Sequence, residues 1–195
     1  MAGDDDEVTA LTQTLIRNAC VNDGRAESGK EARNVDVVAS ILDAGGLDYE
    51  RYETAPGHDN LVARIEGTDA DAESILWLAH TDVVPVNENG WSRDPFGGEV
   101  VEGELWGRGA IDMLNMTASM AVAFRRLADS GFRRRGSLVY AAVADEEAGG
   151  TYGARHLAER ERDAVAADYV ITESGGFPMP TPAAGRAFER DHSLG

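Results

Sequence analysis

The chain has 195 residues, 43% of them hydrophobic and 27% charged, with 22 Gly and 6 Pro; this is a globular composition, outside the disordered and collagen-like classes, and the length suits one main domain. Its 35 acidic residues against 18 basic ones leave a net charge of −17, which argues against nucleic acid or anionic membrane as a partner, since both are bound by neutralising phosphates with Lys and Arg. One cysteine, Cys20, excludes an internal disulfide framework, no apolar run approaches the roughly 20 residues of a membrane span, and the acidic start Asp4-Asp5-Asp6-Glu7 is unlike a basic secretory signal, so a cytoplasmic location is expected.

In chain order, Val8, Leu11, Leu15, Ile16 and Ala19 recur at helical spacing, with Cys20 on the apolar side. Val35, Val38, Ala39, Ile41 and Leu42 do the same before Gly45-Gly46, so two amphipathic helices are expected in the first 46 residues. Short runs rich in branched and aromatic residues at 48–54, 60–66 and 74–79 predict strands, separated by the turn signals Pro56-Gly57 and Gly67. Glu99 to Trp106 predicts another hairpin arm. A helical face of Met113, Met116, Met120, Phe124 and Leu127 ends near Gly131; an apolar strand at 137–144, a helix at about 150–162 and a strand at 168–172 follow. The alternation implies an α/β fold, a mixed sheet flanked by helices on both sides. After Pro182 the residues 183–195 show no periodicity and form an atypical tail to a domain over 1–182.

The acidic balance also fits a high-salt cytoplasm, where dense carboxylates keep a chain soluble and screening relieves their repulsion. Lys30 is the sole lysine. An ordinary acidic enzyme from a GC-rich genome is the alternative.

In open α/β sheets the loops beyond the carboxyl ends of the strands hold ligand groups. Four such places carry suitable side chains: His80 and Asp82 after Ile75–Ala79, Asp112 after the Gly107-Arg108-Gly109 turn, Asp145-Glu146-Glu147 after Leu138–Ala144, and Glu173 after Tyr169–Thr172. Imidazole and carboxylates in this mixture suit zinc or a similar divalent ion. Each piece also has a plain structural explanation. An isolated His-x-Asp is more often a core histidine and a turn aspartate, and Asp112 alone reads as a helix cap. At 35 acidic residues in 195, roughly one acidic triplet is expected by chance. Placement distinguishes Asp145-Glu146-Glu147, because adjacent like charges at a strand end are costly unless one coordinates and another accepts a proton. His58 in Pro-Gly-His-Asp reads as a surface turn residue, His156 as exposed, and Arg133-Arg134-Arg135 as a solvated run. No phosphate loop, dinucleotide fingerprint or serine-hydrolase elbow is present.

Taken together, Leu78-Ala79-His80-Thr81-Asp82-Val83-Val84-Pro85, Trp91 with Asp94-Pro95-Phe96, Leu105 to Met113, Asp145-Glu146-Glu147 and Glu173 resemble the dinuclear-zinc amidohydrolases. That family includes acetylornithine deacetylase, succinyl-diaminopimelate desuccinylase, aminoacylase and the glutamate carboxypeptidases. The resemblance implies a zinc-exopeptidase-like catalytic domain. It implies metal ligands His80, Asp112, Glu147 and Glu173, with Asp112 bridging two ions, and catalytic roles for Glu146 as base and Asp82 as the group orienting His80. It also implies a cis peptide between Asp112 and Met113, and Zn2+ as cofactor, two ions per intact site and one here, with Co2+ able to substitute. The reaction implied is hydrolysis of an amide or peptide bond in an N-acyl amino acid or short peptide. Leu114-Asn115 departs from the Lys-Gly common in the family. Family members are considerably longer, with a lid and dimerisation domain and a further histidine ligand beyond it; this sequence therefore reads as a truncated or frame-shifted N-terminal part. Dimerisation is doubtful, and His192 is a poor substitute ligand. A non-catalytic remnant that binds a single metal ion is the alternative.

Overall fold

The computed structural model describes residues 4–173 and the backbone pairs Met179–Pro180 and Ala187–Phe188. The domain boundary expected at residue 182, and the tail beyond it apart from that second pair, lie outside the described residues.

Helix α1 (Asp4–Arg17) and α2 (Ala32–Ala44) form where the apolar spacing predicts them. Gly46 stops α2: at φ +62° it takes the left-handed conformation that glycine adopts without steric cost. This lets the Gly46 and Leu47 N–H groups donate back to the Asp43 and Leu42 carbonyls at 2.9 and 3.1 Å, satisfying carbonyls the helix leaves open. Strands β1 (Tyr49–Ala55), β2 (His58–Ile65) and β3 (Ile75–His80) follow. The segment expected to be one hairpin arm is both arms, β4 (Glu99–Val101) and β5 (Glu104–Trp106). Glu102 and Gly103 between them both have positive φ, at +54° and +86°, which is the backbone of a two-residue hairpin turn.

Helix α3 (Leu114–Asp129) and strand β6 (Leu138–Val143) come next. The helix expected from about residue 150 starts later and is split into α4 (Ala154–Arg160) and α5 (Arg162–Val165). Gly149 and Gly150 sit at φ +101° and +69°, incompatible with a right-handed helix. Arg64 reaches from β2 to the carbonyls of Asp163, Ala164 and Ala166 at the end of α5. Strand β7 (Tyr169–Ile171) completes the main sheet; the later pair, β8 (Met179–Pro180) and β9 (Ala187–Phe188), is antiparallel.

The sheet order is β1-β2-β6-β3-β7, antiparallel as far as β6 and parallel from β6 through β3 to β7. Side chains alternate across it with period two. Leu138, Tyr140 and Ala142 of β6, with Trp77 and Ala79 of β3, face the core shared with Leu15 of α1, Val38 of α2 and Phe124 of α3. Val139, Ala141 and Val143 face the other way, towards Leu157 of α4. All six residues of β6 are buried, as the near-continuous apolar run of a central strand requires. Cover on both faces fails at β7, whose Tyr169, Val170 and Ile171 remain 46–55% exposed. The parallel strands β3, β6 and β7 all end on the same side of the sheet, and that shared end assembles the site.

Candidate metal centre

His80 is the last residue of β3 and is 1% exposed. Its Nδ1 faces the Asp82 carbonyl at 3.0 Å and the Asp82 Oδ1 at 3.4 Å, which turns Nε2 outward. There Nε2 meets Asp112 Oδ1 at 3.1 Å, Glu173 Oε1 at 3.5 Å and Glu146 Oε2 at 3.8 Å. Among the described residues, His80, Asp112 and Glu173 form one group whose potential ligand atoms all lie within 4.8 Å of one another. Glu147 is outside that group, though close enough for Asp112 and His80 to act on its charge. Asp112 does not cap α3: the cap position is Met113, without a side-chain hydrogen bond, and the Asp112–Met113 peptide is cis. Gly109 in the loop before it has φ +85°, and a Cβ there would meet Leu114 Cδ1 and Val83 Cγ1 at 2.7 Å; the loop reaches the site only by lying against the core.

Asp82, fully buried, is the centre of the site's floor. Its carboxylate accepts the N–H groups of Glu146 and Glu147 at 3.2 and 3.1 Å and the Asn22 amide at 2.9 Å. The chain can present those two N–H groups because Asp145 takes a left-handed conformation, φ +63°, which Asp tolerates better than most residues. Asp145 is itself 5% exposed and accepts from Asn22 and from the Tyr152 N–H, both at 3.0 Å. Two further buried asparagines brace the strand ends: Asn34 donates to the Thr81 carbonyl at 2.8 Å, and Asn60 accepts the Ala144 N–H at 2.9 Å.

The sequence pattern did not single out Asn22, Asn34, Asn60 or Glu31: Asn22 stands two residues before Gly24 and reads as a turn, while Glu31, Asn34 and Asn60 stand at or just before the starts of expected elements, where a polar residue draws no notice. His58 corrects an expectation. It is 1% exposed at the start of β2, with Nδ1 2.8 Å from Glu31 Oε2 and its ring stacked 4.8 Å from Tyr152. Tertiary packing folds its turn inward, which local sequence does not encode. Cys20 is buried as expected but lies beyond the end of α1, and burial pushes its thiol up to about 12. His156 is half-buried rather than exposed, and in the arginine run Arg134 is half-buried while Arg135 is exposed and pairs with Asp69 at 2.8 Å.

The electrostatics are those of a site short of positive charge. Burial by itself lowers the His80 pKa, but the hydrogen bond and charge of Asp82, then the charges of Glu146 and Glu173, outweigh it and lift it to about 9. Burial, a hydrogen bond with Asp112 and neighbouring carboxylates raise Glu173 to about 7 despite the pull of His80. Glu147 is also raised, first by burial and then by Asp112. Among the described residues no lysine or arginine pairs with Asp112, Glu146, Glu147 or Glu173. Carboxylates crowded round one imidazole, with Glu147 and Glu173 raised by burial and by neighbouring charge, are a donor set suited to a divalent cation. A cavity of about 610 Å³ lies elsewhere, between β1–β2 and α4–α5 beside Tyr52, Arg64 and Arg160.

A mixed sheet with one imidazole and several carboxylates gathered at the ends of its parallel strands defines an α/β architecture with a candidate metal site. The chain belongs to peptidase family M20/M25/M40, whose sequence profile matches residues 76–183. It is 35% identical over 154 residues to a succinyl-diaminopimelate desuccinylase of Maricaulis maris, covering 78% of this chain and 37% of that one. Against aminoacylase-1 of Sus scrofa it is 38% identical over 140 residues, covering 71% and 34%. The chain thus spans little more than a third of the length of these relatives. In fold it is similar to an M20 family metallo-carboxypeptidase from Sulfolobus solfataricus, with a TM-score of 0.72 and 21% identity over 87% of this chain and 38% of that one. The dipeptidase Dug1p of Saccharomyces cerevisiae superposes with a TM-score of 0.69 at 20% identity, over 85% and 38%.

Proposed function

We propose that this site serves metal-dependent hydrolysis of an amide or peptide bond in an N-acyl amino acid or short peptide, with zinc as the metal. The observation that carries the proposal is the convergence of His80, Asp112 and Glu173 within 4.8 Å, delivered by the end of β3, the loop before α3 and the segment after β7. Relatives named desuccinylase and aminoacylase support the substrate class. In this reading His80, Asp112 and Glu173 hold one ion, and Glu147 with Asp112 belongs to a second, weaker position. When bound, the metal supplies Lewis acidity, which lowers the pKa of water and polarises a carbonyl.

The chain's own residues do the rest. Asp82 holds the His80 tautomer that frees Nε2. Glu146, about half exposed and 3.8 Å from that nitrogen, takes a proton from water as it attacks and returns it to the departing amine. A cytoplasmic, high-salt setting and activity without a nucleic-acid or membrane partner complete the proposal.

A second reading, a chain that binds one ion with little turnover, is favoured by a specific observation: Glu147 stands outside the three-ligand group, and two carboxylates alone make a weak zinc site. Calorimetry with Zn2+, followed by a panel of N-acyl amino acids and dipeptides in excess Zn2+ or Co2+, tests both. One tight ion is expected. Turnover that chelation leaves untouched overturns the hydrolase proposal, and no turnover on any substrate favours the second reading. Glu146→Gln is expected to abolish whatever turnover is found and keep the metal; lost metal would reassign Glu146 as a ligand.

A further inference from the structure

We infer that Asn22 is a positioning residue of the metal centre: its side-chain amide ties Asp82 to Asp145 and so holds both His80 and the Glu146–Glu147 turn where they converge. The inference rests on the metal-site reading above and adds to it a residue from a loop that touches no proposed ligand directly.

Asn22 follows α1 and is 3% exposed. Its position is over-determined. The backbone N–H donates to the Val83 carbonyl at 2.9 Å, and Oδ1 accepts the Gly24 N–H at 3.0 Å and the Ser28 hydroxyl at 3.1 Å. This orients Nδ2, whose two hydrogens go to two different strand ends: Asp82 Oδ2 beyond β3 at 2.9 Å, and Asp145 Oδ1 beyond β6 at 3.0 Å. Those carboxylates are both buried, and left to themselves they repel. A neutral group with two donors is what the gap demands. Aspartate has no donor there, leucine has neither donor nor acceptor, and serine has one donor where two are needed.

The consequence reaches the metal ligands through one intermediate on each side. Asp82 fixes the His80 ring from one oxygen while its carboxylate accepts the Glu146 and Glu147 N–H groups. Asp145 sets the left-handed bend that aims those N–H groups, and its own N–H is held by Glu31 Oε1 at 3.2 Å. Releasing Asn22 therefore loosens the imidazole and the acidic turn together, while leaving every proposed ligand in the sequence.

Asn22→Leu tests this, with Phe124→Leu in the core between α3 and the sheet as a control for general loss of stability. Zn2+ affinity is read by calorimetry, and amide hydrogen exchange at Glu146 and Glu147 is read in the metal-free chain. In Asn22→Leu the affinity is expected to fall about ten- to hundred-fold, and both amides to exchange faster than in Phe124→Leu, which keeps wild-type affinity. Wild-type affinity and protected amides in Asn22→Leu, or an equal loss of affinity in Phe124→Leu, overturn the inference. If Asn22→Leu does not fold, Asn22→Ser, which retains one donor, is expected to give an intermediate loss in both readouts, and no loss overturns the inference. If the wild-type chain takes up no Zn2+, the proposed function falls, whereas the amide exchange still decides the role of Asn22.

Discussion

The floor and the rim of the strand-end site are built on opposite principles. In the floor, Asn22, Asn34, Asn60, Thr81, Asp82 and Asp145 are at most 5% exposed, and their polar atoms find partners within the protein. On the rim, the side chains of Asp112, Glu146 and Glu173 are 60%, 49% and 22% exposed and crowd one imidazole without a lysine or arginine among the described residues to balance them. The floor is finished by the chain itself, and the rim is electrostatically incomplete without a cation. Rim substitutions should accordingly change metal affinity without a loss of stability, whereas floor substitutions should cost stability and, through the imidazole and the acidic turn, affinity as well.

The largest effect on stability is expected from the floor. Asp82→Ala leaves the Glu146 and Glu147 N–H groups and the Asn22 amide without their acceptor, a loss of about 3 kcal/mol or more. At about 2–4 °C per kcal/mol for a chain of this size, a thermal melt should show a large fall in Tm; a fall no greater than that of a surface substitution would break the distinction. Asp112→Asn on the rim should do the reverse. It removes a ligand and a repulsive charge, so Zn2+ affinity measured by calorimetry should fall at least about ten-fold, with the metal-free Tm unchanged or raised.

The pH dependence follows from the direction of the shifts. His80 is raised from 6.5 to about 9, and Glu173 and Glu31 from 4.5 to about 7, burial being the first cause for both carboxylates. The folded, metal-free chain thus keeps protons that the unfolded chain has released, and its stability falls as pH rises. The carboxylate part is lost between about pH 4.5 and 7, and the His80 part, complete below 6.5, is lost as pH passes about 9. Melting curves from pH 5 to 9 should show Tm declining, and saturating Zn2+ should recover most of the loss at the alkaline end. A flat profile in the metal-free chain would mean that burial and neighbouring charge do not hold these protons in the folded chain. The mildest effect is that of salt: raising KCl should stabilise the metal-free chain by screening the rim and the net charge of −17, while Asp82→Ala should lose as much at high salt as at low, because the floor is not screened.

Much of this was legible in the residues. The helical spacing of Leu11, Leu15 and Ile16, the unbroken apolar run of β6 and the change of pattern at Met113 are local signals, and local signals survive in sequence. Among the described residues, the side chains that meet round His80, namely Asp112, Glu146 and Glu173, are ones the strand-end rule singles out, because each follows an apolar run or a glycine turn. The hairpin of β4 and β5 and the late start of α4 were obscured by glycines whose positive φ values matter more than the spacing around them. The floor was harder to see. Asn22 and His58 look like turn residues, and their bonds span 123 residues in one case, to Asp145, and 32 in the other, to the Ala26 carbonyl.

By itself, then, the order of residues determined the elements, the α/β class and which charged groups stand at strand ends, since periodicity and turn chemistry act over a few neighbouring positions. Only the tertiary structure decided that those groups meet, that Asp145 is a buried support while Glu146 is exposed beside His80, and that Asn22 lies between two buried carboxylates. Burial and long-range hydrogen bonding arise from the packing of β3 beside β6 and of α3 against both the sheet and α1, and no local pattern records which distant partner a polar side chain will find.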